Sequence, residues 1–479
     1  MGGVMNIYAE IRREVGAYNG VAVADGGAEL TYQELFRLVD ATAARLCALG
    51  IGRDFRVGVE VENSAGYIAL SLAILSLDAV IVPVSVNVPA EETLEIVRRI
   101  ELNALIASQP LPGVAGREFE VTPELKLQAA VFEGVPVAPL ALGEGKQAAF
   151  IRFSSGTTGL SKGVVLSHRA VLERTAACAR LRIGEGETVL WVLDMAFHFV
   201  VTIILFLRRR ALIAVARAPL ERTMAETLRL RPVRLLYATP YHYRLMTGSP
   251  DFPPECLNSV KQAVSTAMRL TAAEAEAFTR KFNVPLTQAY GIIEVGLPCL
   301  NDDIAGERVD SVGRLQQAYR LRLDGAGADG VGEILLRGPG MFDAYFSPFA
   351  LRTELEPDGW FRTGDLGRVD SEGYLFIVGR AKNLINFMGM KIFPYEVETV
   401  LNAFPGVKES RVSGVETPGY GELPAAELVL EPGAEWSEEF RQRLRRHCFA
   451  RLSGYKVPKE FAVVASIPRT ASGKIVRKK

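Results

Sequence analysis

Apolar and polar positions follow two alternating periods over the first 110 residues. Residues 31–50 repeat apolar side chains at helical spacing, begin with the capping-box pair Thr31 and Glu34, and end at Gly50. The rest of this region alternates between strand-like and helix-like patterns. Strands are predicted at 57–61, 79–84 and 104–107, and helices at 64–77 and 89–99. Strands that alternate with helices predict a layered, parallel α/β sheet.

The pattern is interrupted once and then changes character. Residues 110–147 are rich in proline and glycine and predict a surface connection. Ser167 then caps a predicted helix over 168–182, which a strand at 188–193 follows. From about Gly313 short strands are separated by turns. We therefore expect a large N-terminal domain, residues 1–380, in which layered α/β sheets are joined by a small β-barrel-like part.

Residues 381–479 predict a small, mobile α+β domain. Pro394 begins a helix, strand patterns follow at 409–415 and 425–430, and Ser437 caps a basic helix. The class expected for the whole chain is therefore α/β, with a separate C-terminal domain.

A glycine motif near residue 325 is a false lead. Gly325, Gly327 and Gly330 fit the dinucleotide fingerprint G-x-G-x-x-G, which must open a helix. The residues that follow, G-E-I-L-L-R-G, have a strand pattern instead. We interpret this motif as a hairpin turn.

Composition limits the class of function. Lys plus Arg equals Asp plus Glu at 55 each, and this balance argues against broad nucleic-acid binding. The five cysteines are scattered and contain no C-x-x-C, so neither disulfides nor a zinc site is predicted. The first ten residues predict no signal peptide, and no apolar stretch reaches the ~20 residues of a membrane span. We expect a cytoplasmic protein without a membrane span.

Residues 150–166 carry the strongest candidate chemistry. They read F-I-R-F-S-S-G-T-T-G-L-S-K-G-V-V-L, in which glycines and hydroxyls can turn toward one point and form an anion-binding nest. The spacing is not that of the common phosphate loop, and the valines after the lysine predict a second strand rather than a helix. The loop suits the phosphates of a nucleotide. Its candidate phosphate-binding residues are Ser154, Ser155, Gly156, Thr157, Thr158, Gly159 and Lys162.

These residues resemble the phosphate loop of the AMP-forming acyl-adenylate family, which includes acyl-CoA ligases, luciferases and peptide-synthetase adenylation domains. Ser161 stands where the family usually has proline. Five further stretches resemble the family's motifs in the same order, over roughly residues 25–479. They are QAYGIIEVG, GEILLRG, WFRTGDLG, GRAKNLINFMGMKIFPYEVE and PRTASGK. The resemblance is closest to the acyl-CoA ligases.

The resemblance implies a reaction and its reactants. A carboxylic acid attacks the α-phosphate of ATP, pyrophosphate leaves, and the acyl adenylate passes to the thiol of CoA. Glu294 would hold Mg²⁺, which prefers carboxylate and phosphate oxygens. Tyr290 would stack on adenine, with Gly291 and Ala267 as further nucleotide contacts.

The remaining roles implied by the resemblance lie toward the C-terminus. Asp365 would bind the ribose, assisted by Arg380. Lys474 would bridge the substrate carboxylate and the α-phosphate. Lys382 matches the family's hinge position, and Gly389 would approach the pantetheine arm of CoA.

The acid pocket is expected in the stretch D-M-A-F-H-F-V-V-T-I-I-L-F-L, residues 194–207. His198 stands where peptide-synthetase domains place an aspartate that holds an amino group, and we count it with the catalytic candidates. Asp194 is expected to point elsewhere, so an acid without an α-amino group is favoured. A fatty or aryl tail is suggested by apolar residues, which are Ile203, Ile204, Val295 and Leu297.

One departure from the family leaves alternatives open. Ile293 replaces the threonine that usually precedes the magnesium-binding glutamate, and the lost hydroxyl removes a phosphate contact worth ~1 kcal/mol. A degenerate member that binds an adenylate with weak turnover is therefore one alternative. An acyl-carrier protein as acceptor is another, a luciferase-like monooxygenase is a remote third, and a homodimer remains open.

Overall fold

The computed structural model describes residues 5–153, 162–303, 306–388, 390–417, 421–470 and 475–477. The chain divides into two compact units. The first comprises Met1–Arg320 with Arg337–Trp360, and the second Leu321–Leu336 with Phe361–Lys479. The predicted domain boundary after residue 380 stays a prediction.

The first unit contains a nine-stranded sheet with a parallel centre. Six neighbouring strands, from Leu286–Ile292 across to Val21–Asp25, pair in parallel, and antiparallel strands extend the sheet at both edges. In spatial order the strands are Arg314–Leu315, Gly296–Leu300, Leu286–Ile292, Gln262–Ser265, Val233–Ala238, Thr188–Trp191, Leu212–Val215, Val21–Asp25 and Ala28–Thr31.

A second nine-stranded sheet in the same unit is mixed. Four central strands pair in parallel, and helices connect the first three of them along the chain. Antiparallel strands extend both sides. In spatial order the strands are Ala350–Leu351, Ala344–Tyr345, Val164–Ser167, Ala148–Arg152, Val80–Pro83, Arg56–Glu60, Ala104–Ala107, Leu125–Val131 and Arg117–Thr122. This sheet brings the strand before the predicted phosphate loop next to the strand after it.

Helices cover the sheets of the first unit. Ala65–Ser76 is apolar on nearly all sides and buried along most of its length, as a helix packed between other layers must be. At Tyr32–Ala48 the predicted capping box is confirmed, since Thr31 Oγ1 accepts from Glu34 N and the Glu34 carboxylate accepts from Thr31 N. The other helices, including short and irregular turns, are Ile7–Val15, Ala90–Ile100, His168–Ala177, Met195–His198, Phe199–Ile203, Ile204–Arg208, Leu220–Leu230, Pro240–Gly248, Pro254–Leu257, Ala272–Phe282 and Arg352–Leu355.

The second unit contains two sheets and a small core. One sheet has four strands, in the order Arg320–Asp324, Gly332–Arg337, Phe361–Val369 and Leu375–Arg380. The other has five, namely Met390–Ile392, Ile385–Phe387, Gly421–Leu430, Val407–Thr417 and Glu460–Val463. The helical segments are Ala381–Asn383, Pro394–Asn402, Glu438–Phe449 and Gly454–Lys456. Val397, Leu401, Val412, Leu428 and Leu444 are each 0% exposed and form the centre of the core.

The predicted α/β class with a separate C-terminal domain is confirmed, with two local differences. The region 110–147 is not only a connection, since it contains the hairpin Arg117–Thr122 and Leu125–Val131. Phe119, Val121 and Leu127 alternate with exposed residues along it, a period of two that the flanking prolines and glycines obscured. The helix predicted over 168–182 ends at Ala177.

The structure also bears on the glycine motif and on membrane-spanning helices. The glycine motif at 325–330 precedes the strand Gly332–Arg337 and opens no helix, as expected. Among the described residues, no helix combines the length and the apolar character needed to cross a membrane.

Candidate active site

The carboxyl edge of the first sheet gathers several predicted site residues. The strand Thr188–Trp191 has the next strand along the chain, Leu212–Val215, on one side. The strand after that, Val233–Ala238, lies on its other side. Open α/β sheets bind ligands at such a reversal of strand order. The segment that carries His198 follows directly after Trp191.

Ala267 and Tyr290 lie at neighbouring positions on this edge. The strand Gln262–Ser265 pairs in parallel with Leu286–Ile292, so residues that follow Ser265 lie beside Tyr290 and Gly291. Ala267 has φ of +67°, a conformation uncommon for a side chain other than glycine.

Glu294 lies in the turn of a hairpin between Leu286–Ile292 and Gly296–Leu300. Its backbone carbonyl accepts a 2.7 Å hydrogen bond from Phe342 N. The Tyr345 hydroxyl lies 3.4 Å from Glu294 Oε1, and burial together with this carboxylate raises the pKa of Tyr345 well above its usual range. Tyr345 therefore remains a neutral donor toward the predicted magnesium ligand.

Lys162 reaches the same cluster from the phosphate loop. Its Nζ lies 5.1 Å from the centre of the Tyr345 ring, within cation–π range. Residues 154–161, which include Ser154, Ser155, Gly156, Thr157, Thr158 and Gly159, lie outside the described residues. The strands flanking them pair as predicted, with Arg152 opposite Val164.

A buried arginine supports the Glu294 turn. Arg174 is 1% exposed, and it donates to Gly340 O through Nε and Nη2 and to Ile293 O through Nη1 at 3.0 Å. Gly340 has φ of +65°, and a Cβ there would lie 2.3 Å from Ala170 O, so glycine is required. This packing fixes the backbone of Ile293, while the Ile293 side chain remains half-buried.

The predicted acid-pocket segment contains an irregular helix. His198 ends one helical turn, and a π-helical turn, Phe199–Ile203, follows; such turns are frequent at functional sites. The His198 ring packs edge-to-face on Trp191, 6.2 Å between centroids. Phe197 and His198 are only half-buried, so part of each residue is accessible to solvent.

The Asp194 carboxylate is engaged by donors of the protein itself. One carboxylate oxygen accepts from Ser85 Oγ at 2.6 Å and the other from Ala196 N at 2.9 Å. Burial raises the pKa of Asp194, although these donors oppose that shift. The expectation for the apolar lining is not met, because Ile203, Ile204 and Val295 are each 0% exposed and pack in the core.

In the second unit Asp365 and Arg380 lie directly opposite each other on paired strands. Arg380 Nε is 2.6 Å from Asp365 Oδ1, and the two side chains are 38% and 6% exposed. The cross-strand register thus brings together two residues that are 15 positions apart. Lys382 follows in the exposed turn Ala381–Asn383, while Gly389 and Lys474 lie outside the described residues.

Three residues near these groups were not identified from the sequence. Tyr345 and Arg174 have no local signature. Pairing of distant strands brings Tyr345 to Glu294, and packing of the helix His168–Ala177 brings Arg174 to the Ile293 carbonyl. Arg152 had a signal, because it is the one charged residue in the apolar strand Ala148–Arg152.

Comparison with known proteins now identifies the family. The AMP-binding enzyme model matches residues 12–346, and the AMP-binding enzyme C-terminal domain model matches residues 396–474. The chain belongs to the AMP-binding enzyme family. The resemblance to AMP-forming acyl-adenylate enzymes is therefore confirmed.

Individual relatives align over nearly the whole chain. A long-chain-fatty-acid–CoA ligase of Mycobacterium tuberculosis is 28% identical, covering 94% of this chain and 92% of its own. A 4-chlorobenzoate–CoA ligase of Arthrobacter sp is 28% identical, covering 95% and 90%. The crystal structure of ATP-bound MatB from Rhodopseudomonas palustris has the same fold, with a TM-score of 0.84 at 23% identity over 98% of this chain and 97% of that one.

Proposed function

We infer that the chain is an AMP-forming carboxylate–CoA ligase. It uses ATP to convert a carboxylic acid to an acyl adenylate, releases pyrophosphate, and transfers the acyl group to the thiol of CoA. The observation that carries this function is the pair of family matches, which covers both the nucleotide-binding part and the C-terminal part. Charge shifts onto phosphate oxygens during adenylation, so catalysis rests mainly on positioning and electrostatics.

The nucleotide side of the site is assigned to the Lys162, Tyr345 and Glu294 cluster. Lys162 and the loop before it hold the phosphates, and Glu294 is the protein ligand of Mg²⁺. The described residues contain no group of three or more Asp, Glu, His or Cys side chains able to hold a metal. A single carboxylate fits Mg²⁺, which keeps waters and takes phosphate oxygens as further ligands. When bound, Mg²⁺ would neutralise charge on the phosphates.

In the same proposal the remaining nucleotide contacts are Tyr290, Gly291 and Ala267 for adenine. Asp365 accepts the ribose hydroxyls, and its ion pair with Arg380 supports this role by holding the carboxylate in one orientation. Lys474 acts in adenylation, Lys382 is the hinge, and Gly389 admits the pantetheine arm.

The acid is proposed to be fatty or aryl and to lack an α-amino group. The engagement of Asp194 with Ser85 and Ala196 supports this, since both of its oxygens already accept hydrogen bonds from the protein. His198 and Phe197 would contact the acid. An acyl-carrier protein carries the same arm as CoA, but no observation favours it, and a cytoplasmic location and a homodimer stay predictions.

Acid-dependent exchange of pyrophosphate into ATP tests this function. Fatty, aryl and amino acids are compared first, and CoA is added in a second step to follow thioester formation. We expect exchange with at least one fatty or aryl acid, none with amino acids, and thioester only with CoA present. Nucleotide binding without exchange for any acid would instead support the degenerate alternative.

A further inference from the structure

Arg152 occupies an unusual place for a cation. It ends the apolar strand Ala148–Arg152, two residues before the phosphate loop. Side chains alternate along a strand, so Arg152 shares a face with Phe150, whose ring lies 6.3 Å from that of Phe199. The Arg152 guanidinium carbon lies 5.5 Å from the centre of the Phe197 ring. It therefore lies against the segment predicted to hold the acid.

This guanidinium has no counter-ion in the described part of the chain. Arg152 Nε is buried without a hydrogen-bond partner, and no described carboxylate lies within 4.0 Å. Glu294 and Asp194 act on it only from longer range, and Asp194 is already engaged by Ser85. Burial lowers the pKa of Arg152 to about 10, so the side chain is still protonated at neutral pH.

Two buried arginines elsewhere in the described part of the chain have hydrogen-bond partners. Arg174 gives three hydrogen bonds to backbone carbonyls, and Arg477 pairs with Glu398 through both nitrogens. Arg152 is partly buried, and its Nε is fully buried without a partner. An uncompensated charge in such a place is unfavourable, and a cation–π contact offsets only part of that cost. Arg152 is therefore better explained by a ligand than by the stability of the free protein.

We propose that Arg152 contacts an oxyanion of the bound reactants, either a carboxylate of the acid or a phosphate of ATP. The inference rests on the proposed function, which supplies both anions. A planar guanidinium can give two parallel hydrogen bonds to either group.

The test compares wild type with Arg152→Met, Arg152→Lys and a control, Arg169→Met. Arg169 is exposed, and its ion pair among the described residues is with Glu173 on its own helix, so its loss should leave exchange unchanged. For Arg152→Met we expect kcat/KM for pyrophosphate exchange to fall about tenfold to a hundredfold, the range of a lost hydrogen bond to a charged group. Arg152→Lys keeps the positive charge but loses the planar guanidinium, so its kcat/KM should fall less.

The melting temperature of the ligand-free protein separates binding from structure. Removing an unpaired buried charge should leave the melting temperature of Arg152→Met equal to or above that of wild type. The thermal stabilisation by ligand should shrink in the same variant. A clear drop in the ligand-free melting temperature, with normal exchange per folded molecule, would identify a structural arginine and overturn the proposal.

Separate titrations identify the anion. If the phosphate is the partner, Arg152→Met reduces the stabilisation by ATP in the absence of acid. If the acid is the partner, the KM for the acid rises in Arg152→Met while the KM for ATP is unchanged. The rise is largest for acids with a second anionic group. Exchange within twofold of wild type in Arg152→Met and Arg152→Lys refutes the contact. Absence of exchange in wild type with every acid refutes the proposed function instead.

Discussion

Glu398 and Arg477 form an ion pair that attaches the C-terminal segment to the core of the second unit. Arg477 Nη1 and Nη2 lie 2.7 and 2.8 Å from the two Glu398 oxygens, and the side chains are only 8% and 7% exposed. Val412 satisfies both partners, because its N–H donates to Glu398 Oε1 and its carbonyl accepts from Arg477. The pair therefore joins residues 475–477 to a helix and a strand.

We expect Glu398→Gln to destabilise this unit substantially. The variant keeps the shape and the oxygen facing Val412, but it leaves the buried Arg477 guanidinium without a negative counter-charge. Two charge centres about 4 Å apart at an effective dielectric of about 20 attract by about 4 kcal/mol. Removal of one partner of a buried pair costs ~3–5 kcal/mol. Because glutamine still accepts hydrogen bonds, the lower value, about 3 kcal/mol, is expected.

Amide hydrogen exchange of the full-length protein measures this loss locally. Peptides covering Val407–Thr417 should exchange about a hundredfold faster in Glu398→Gln, at 1.4 kcal/mol for each factor of ten. The matched control is Glu438→Gln, which breaks an exposed pair with Arg441 and should change stability by at most about 0.5 kcal/mol. A double change of Glu398 and Arg477 to methionine should recover part of the loss, since no unpaired charge remains although Val412 loses two hydrogen-bond partners.

The same variant has a functional consequence. Residue 475 directly follows Lys474, so loosening 475–477 should reduce pyrophosphate exchange more than it reduces thioester formation from pre-made adenylate. The reasoning is refuted if Glu398→Gln exchanges hydrogen no faster than the Glu438→Gln control. It is also refuted if the double variant is as unstable as the single one.

Five further variants test the assigned roles. Lys474→Ala should lower adenylate formation by about a hundredfold or more while thioester formation from pre-made acyl adenylate survives, because only the first step needs its charge; equal loss in both half-reactions contradicts this. Asp365→Ala should weaken ATP binding at every Mg²⁺ concentration, whereas Glu294→Ala should raise the Mg²⁺ requirement, and titrations of both variants distinguish ribose from metal binding. Ile293→Thr should raise the exchange rate by restoring a phosphate contact. Since this side chain is half-buried, the structure should accommodate the change. A lower rate means that the site is adapted to isoleucine. Lys382→Pro should retain exchange but lose acyl-CoA production, because proline fixes φ at about −65° at the proposed hinge. A proportional fall in both rates places the hinge elsewhere.

The sequence determined the features that depend on neighbouring residues. Thr31 and Glu34 fix the start of a helix because a capping box is local, and Ser437 does the same for Glu438–Phe449. The valines after Lys162 predict the strand that the structure shows. The order of the motifs sufficed to recognise the family, because the chemistry of the reaction constrains residue types and spacing.

The tertiary structure decided which distant residues meet. Tyr345 reaches Glu294 only because its short strand pairs with Val164–Ser167, and no local pattern encodes that register. Burial was likewise undetermined. Ile203 was expected at the pocket wall and is in the core, while Arg152, the one charged residue of its strand, has a buried Nε with no hydrogen-bond partner among the described residues. A residue's type sets what it can contribute chemically, but the packing of non-local elements sets its solvent exposure and its partners, and these control its charge and reactivity.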